Sequence, residues 1–286
     1  MILHENYTLA NGVQIPRLGL GTWMIPDEQA DEAVRQAVAL GYRLIDTAQA
    51  YGNEAGVGRG ARSCGLKREA LFITSKVAAE NKTYASAAQS IDESLRKMGL
   101  DYIDLMIIHS PQPWAEFRGE KRYFDENREV WRALEDAYRA GKLRAIGVSN
   151  FLTDDLENLL AACTIRPMVN QILTHIANTP LELIDFCRKN DVLCEAYSPI
   201  AHGEALKNAG VVRMAERCGV TPAQLCVRYV LQLGMVALPK TGNPAHMQAN
   251  AAVDFEISAA DLETLTRIDR IKDYGEYSFF PVFSGK

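Results

Sequence analysis

Short, fully apolar runs alternate along this chain with longer stretches whose apolar positions recur every three or four residues. The short runs lie near 17–22, 42–48, 71–77, 103–109, 145–150, 168–173, 193–199 and 235–240 and predict strands. The longer stretches predict helices near 27–40, 54–63, 83–98, 128–140, 153–162, 180–190, 205–218 and 222–233, with two more near 244–251 and 258–270. Asp27 is positioned to cap the first helix, and Thr221-Pro222 to start another, with proline at the first helical position. Ahead of the first strand, YTLANGVQIP reads as a β-hairpin around Asn11-Gly12, a dipeptide suited to a type I′ turn.

Strands that are apolar throughout are buried on both faces, as in parallel sheets. About eight of them alternating with helices over ~250 residues predict an α/β fold, a (β/α)8 TIM barrel, with the N-terminal hairpin plugging its bottom. No composition shift or linker divides residues 1–286, so a single domain is expected. The alternative is a doubly wound open sheet, which normally carries a glycine-rich fingerprint after its first strand. Gly19 to Thr22 lacks the third glycine, and GVGRG (Gly56 to Gly60) has the wrong spacing and sits inside a helical pattern.

The formal net charge is −5 with no block of like charge, which argues against nucleic acid or an anionic membrane as partner. No run approaches the ~20 apolar residues of a membrane span. The N-terminus shows neither a basic nor an apolar signal region. Six cysteines without CxxC spacing read as reduced structural residues, and a cytoplasmic protein is expected. Five histidines without His-x-His or HExxH spacing give no metal site.

The chemistry is concentrated at the strand ends. GYRLIDTAQAYGNEAGVG ends its strand on Asp46 and places Tyr51 in the next loop; LFITSKV ends on Lys76, and IDLMIIHSP on His109. Strand ends of a barrel are where catalytic groups collect. Free tyrosine has a pKa near ~10 and is a poor acid at neutral pH. A buried ammonium beside it favours the phenolate, so Lys76 is expected to lower the Tyr51 pKa, with Asp46 holding Lys76 charged.

These residues, with GLGTW (Gly19 to Trp23), GVSNF (Gly147 to Phe151) and LPKT (Leu238 to Thr241), resemble the catalytic tetrad and flanking motifs of the aldo-keto reductases. The likeness covers nearly the whole chain and is nearest to the prokaryotic branch that includes the 2,5-diketo-D-gluconate reductases. It implies an oxidoreductase reducing small aldehydes, dicarbonyls or keto-sugars by hydride transfer from NADPH, with NADH possible. Tyr51 would be the proton donor, with Asp46, Lys76 and His109 completing the catalytic set. Ser149, Asn150 and Gln171 match residues that bind the nicotinamide carboxamide, and Tyr197 the ring that stacks on it. Thr22 and Asp46 would lie near the ribose, and Ser198, Ile200 and Gly203 near the pyrophosphate. Lys240, Thr241, His246 and Asn250 match the adenosine phosphate region. The substrate pocket would comprise Trp23, Tyr51, His109 and Ser110. A monomer is expected, with a small carbonyl compound as its partner.

The chain departs from the family at several positions. His246 stands where an arginine is usual and Ala249 where a glutamate is usual, so weaker discrimination between NADPH and NADH is expected. Ser110 stands where the family has tryptophan, which removes an aromatic wall, and Leu173 where it has glutamate. The connection 110–127 (with Trp114, Phe117 and Phe124) reads either as a lid or as a solvated excursion. The aromatic tail DYGEYSFFPVFSGK either folds over the mouth or packs on the barrel's side. Two alternatives differ in class: a cofactor-binding, non-catalytic barrel serving as a redox sensor or regulatory subunit, and a hydrolase using Asp46 and His109.

Overall fold

This computed structural model describes residues 1–284. Eight parallel strands form the barrel: β3 (Gly19–Gly21), β4 (Leu44–Asp46), β5 (Phe72–Val77), β6 (Ile103–Ile108), β7 (Leu143–Ser149), β8 (Val169–Leu173), β9 (Leu193–Tyr197) and β10 (Val236–Leu238), after the hairpin β1 (Asn6–Thr8) and β2 (Gln14–Pro16). Each pairs with the next in chain order. The ring closes by parallel bridges Leu18–Ala237 and Gly21–Lys240, with Gly21 N donating to Pro239 O at 3.0 Å. This is the expected (β/α)8 barrel and not an open sheet. The strand interiors are buried on both faces, as the apolar runs predict.

The helices around the ring are α1 (Asp27–Ala39), α2 (Glu54–Ser63), α3 (Tyr84–Met98), α4 (Phe124–Arg139), α5 (Thr153–Leu160), α6 (Leu181–Lys189), α7 (Glu204–Lys207), α8 (Ala209–Cys218), α9 (Pro222–Gln232), α10 (Pro244–Ala251) and α11 (Ala259–Thr266). Thr221 caps α9 through a reciprocal box with Gln224, as expected. The helix predicted over 205–218 is broken: Asn208 Oδ1 accepts from Gly210 N and Val211 N, which starts α8 afresh. Asp27 is not a cap. It lies within the first turn of α1, and its carboxylate accepts from Gly56 N at 2.6 Å and pairs with Arg59, docking α2 onto α1.

That docking explains the glycines of GVGRG. A Cβ on Gly56 would stand 2.2 Å from Asp27 O, and one on Gly58 2.1 Å from Met98 O. The glycines let α2 approach α1 and α3 closely.

The hairpin lies at the N-terminal end of the strands, where Asn11 Nδ2 donates to Arg144 O at the start of β7. Its turn is not type I′. Gly12 N bonds to Leu9 O and Leu9 N to Val13 O, and only Gly12 has positive φ (85°). This is a type I turn followed by a bulge glycine, the three-residue hairpin loop, which demands left-handed backbone at one residue instead of two. Among the described residues, no helix is long and apolar enough to cross a membrane, and no cluster of three His, Cys, Asp or Glu is placed to hold a metal.

Candidate active site

The C-terminal ends of the barrel strands bring the four ionisable residues together. Lys76, fully buried on β5, donates all three ammonium protons: to Asp46 Oδ2 at 2.6 Å, Thr47 O at 2.8 Å and the Tyr51 hydroxyl at 3.2 Å. Burial alone would pull the Lys76 pKa down, but the Asp46 carboxylate more than offsets this and leaves it above its ordinary value. Tyr51 sits on a one-turn 3-10 helix ended by Gly52 at φ 70°. Gln49 pins that turn: its Oε1 accepts from Ala78 N, and its Nε2 donates to Ser90 O and Ser94 Oγ.

The expected fall in the Tyr51 pKa is not what the structure gives. Burial raises it, Lys76 only partly offsets this, and the net shift is upward. Tyr51 is therefore a neutral phenol at physiological pH, with a proton to give. His109, at the end of β6, has its ring centroid 5.6 Å from that of Tyr51. Burial, then the Lys76 charge, hold its pKa well below the usual histidine value, so the imidazole is neutral.

The Asn-Glu pair after Tyr51 is scaffolding. Asn53 Nδ2 donates to Thr22 O and Ile25 O, its Oδ1 accepts from Thr47 Oγ1, and Glu54 accepts from Ser75 Oγ at 2.6 Å. These bonds tie the loops after β3 and β4 to each other and the start of α2 to β5.

One cavity of about 250 Å³ is lined by Asp46, Tyr51, His109, Ser149, Asn150, Gln171, Tyr197, Ser198, Ile200, Lys240 and Trp23. Lys76 stands behind Tyr51. Thr22 is buried beside it, its Oγ1 donating to Asp46 O. Gly203, Thr241, His246 and Asn250 do not line the cavity. Gly203 (φ 96°) closes a turn in which Ser198, Ala201 and His202 also have positive φ, a concentration of strained backbone typical of functional loops. Thr241 Oγ1 accepts from Asn243 N, which caps α10; His246 is exposed on that helix and Asn250 buried on it. Ser110 is not a pocket residue. It is fully buried, its Oγ accepts from Gln112 N, and its carbonyl is held by Lys82 Nζ.

The missing aromatic wall is supplied from elsewhere. Trp114, in the connection after β6, packs edge-on to His109 at 5.1 Å and against Phe280 of the tail at 4.8 Å. Phe280 and Phe283 also contact Trp23, and Phe283 contacts His202 at 4.4 Å. Both the 110–127 connection and the aromatic tail therefore close over the mouth. Gly285 and Lys286 of that tail lie outside the described residues.

Whether a nicotinamide fits here can be tested on the polar atoms that line the cavity. Gln171 Nε2 is committed to two carboxyl groups, Asp46 Oδ1 at 2.9 Å and Glu195 Oε2 at 2.8 Å, which leaves its Oε1 without a hydrogen bond. An acceptor so placed suits the NH2 of a carboxamide. Asn150, at φ 62°, donates to His109 O and Ser149 Oγ and accepts from the Tyr197 hydroxyl. The donor set fits the group. Glu195, fully buried within this network, was not anticipated; the only sequence signal is an acid inside an otherwise apolar strand.

A model of the aldo/keto reductase family matches residues 17–270. Among curated relatives, the glyoxal reductase of Bacillus subtilis is 40% identical over 275 residues, covering 96% of each chain. A solved aldo/keto reductase from Brucella melitensis superposes with a TM-score of 0.86 at 36% identity, covering 93% of this chain and 99% of that one. An aldo-keto reductase solved in complex with NADPH gives 0.84 at 33% identity, over 93% and 88%. These relatives do not single out the 2,5-diketo-D-gluconate reductase branch.

Proposed function

Since the chain belongs to the aldo/keto reductase family, we propose that it reduces small aldehydes and dicarbonyls to alcohols with NADPH, and that Tyr51 is the proton donor. The observation that carries this reading is the chain Asp46–Lys76–Tyr51, in which one proton of a fully bonded ammonium points at a phenol on the cavity wall.

The bound nicotinamide supplies the hydride. Ser149, Asn150, Gln171 and Tyr197 would hold its ring, the Ser198–Gly203 turn its pyrophosphate, and Lys240, Thr241, His246 and Asn250 the adenosine phosphate end. A carbonyl oxygen beside Tyr51 and His109 gains negative charge as it is reduced. Tyr51 gives it the phenolic proton, and Lys76 stabilises the phenolate left behind. The neutral His109 ring donates a hydrogen bond to the same oxygen instead of competing as an acid. Asp46 keeps Lys76 in place. Trp23, Trp114 and Phe280 keep water from the reacting centre.

The test is loss of reduced-nicotinamide absorbance with glyoxal and with an aromatic aldehyde, NADPH beside NADH at equal concentration. Aldehyde-dependent oxidation of NADPH supports the reading; none with either cofactor and either aldehyde overturns it.

A further inference from the structure

The catalytic cavity shares Asn150, Tyr197 and Val282 with a larger one of about 640 Å³, which falls in the size range of small-molecule sites. The barrel end supplies apolar walls such as Phe151, Ile172 and Leu173. Two arginines also line it, Arg118 from the β6–α4 connection and Arg270 from the segment after α11, and no carboxylate does. Among the described residues, neither guanidinium has a hydrogen bond or an ion-pair partner. The acids whose charge bears on Arg118, Asp154 and Asp155, are both already held by Arg122.

Arg118 is set in position by its loop. Its backbone is left-handed (φ 59°), and its N–H donates to Gln112 Oε1 at 2.7 Å. Gln112, only 2% exposed, spends its Nε2 on Gly119 O and Lys121 O, so one buried side chain shapes the whole bend. The guanidinium lies over the Phe117 ring at 4.6 Å. Burial pulls its pKa down, though arginine stays charged. A partly buried, uncompensated cation facing a cavity is costly unless an anion joins it.

We propose that this cavity is a carboxylate subsite, and that the preferred substrates are aldehydes or ketones carrying a terminal carboxylate on an apolar spacer. The carbonyl lies at Tyr51, and the carboxylate is bound by Arg118 with Arg270 near it. The apolar walls offer few further donors, which favours a monoanionic carboxylate over a phosphate dianion. The substrate class rests on the reductase reading above; the anion site itself does not.

The test has two arms. In the first, kcat/KM is measured with NADPH for short and medium-chain aldehydes bearing a terminal carboxylate, for their methyl esters, and for benzaldehyde. The wild type should prefer the acids about tenfold or more, through KM, as expected for a charge-assisted pair. Arg118→Met should abolish the preference while leaving benzaldehyde turnover unchanged, and added salt should shrink the Arg270 share. In the second arm, calorimetry follows octanoate binding to the protein without NADPH. Binding in the wild type that is lost in the Arg118→Met, Arg270→Met double variant supports the site even if no carbonyl is reduced. Equal kcat/KM for acids and esters in the wild type, or octanoate binding indifferent to both arginines, overturns it.

Discussion

Gln171 Nε2 lies 2.8 Å from Glu195 Oε2 while its second proton goes to Asp46, so a buried carboxyl outside the catalytic set fixes which way the Gln171 amide faces. The other Glu195 oxygen is buried without a partner. Burial, then the Asp46 charge, push the Glu195 pKa up to about 7 from an unfolded value of 4.5. Between those values the folded protein keeps a proton that the unfolded chain releases. Stability therefore falls as pH rises through that window, by a few kcal/mol at most at about 1.4 kcal/mol per unit. Glu195→Gln keeps the acceptor for Gln171 and removes the charge. It should raise Tm relative to wild type at about pH 8 and change it little at about pH 5. A Tm difference that is the same at both pH values would count against this.

Lys76 joins structure to chemistry. Lys76→Met leaves Asp46 buried without its counter-ion, which is expected to cost about 3–5 kcal/mol in denaturant unfolding. It also removes the charge that, on the proposed reading, stabilises the Tyr51 phenolate, so kcat should fall about a hundredfold or more with NADPH affinity retained. A variant as stable and active as wild type would show that the ion pair is incidental.

Trp114 replaces the aromatic wall that Ser110 does not provide. Trp114→Ala removes its contacts with His109 and Phe280, each worth about 0.5–1.5 kcal/mol beyond area burial. For aromatic aldehydes KM should rise about tenfold with kcat within a few-fold of wild type. An unchanged KM across aromatic and aliphatic aldehydes would place Trp114 outside the substrate's reach.

On the proposed reading, cofactor preference turns on Lys240 and His246. Lys240 lines the cavity and His246 is exposed on α10. A histidine lacks the permanent charge and forked donors with which an arginine binds phosphate. His246→Arg should raise the NADPH-to-NADH ratio of kcat/KM about tenfold, and Lys240→Met should lower it comparably. Ratios that do not move would place the 2′-phosphate away from α10.

The barrel was legible because its strands are apolar on both faces, and the placement of Asp46, Lys76 and His109 because each stands at the end of a strand, with Tyr51 in the loop after the first of them. What the sequence concealed depends on contacts between distant segments. Glu195 meets Gln171 only when β8 and β9 pair, and Gln49 finds Ser90 and Ser94 only when α3 packs on the Tyr51 turn. The sign of the Tyr51 shift was missed because burial outweighs Lys76, and the depth of burial is a property of the closed barrel. The motif position of Ser110 suggests a pocket-facing side chain, but that side chain is spent on the turn at Gln112.

The most direct test of the central claim is Tyr51→Phe, measured both for aldehyde-dependent NADPH oxidation and for NADPH binding by fluorescence titration. The account predicts that kcat falls by about 10²-fold or more while cofactor affinity stays within about twofold, because only the proton donor is removed. Turnover close to wild type would contradict it and return the proton to His109 or solvent.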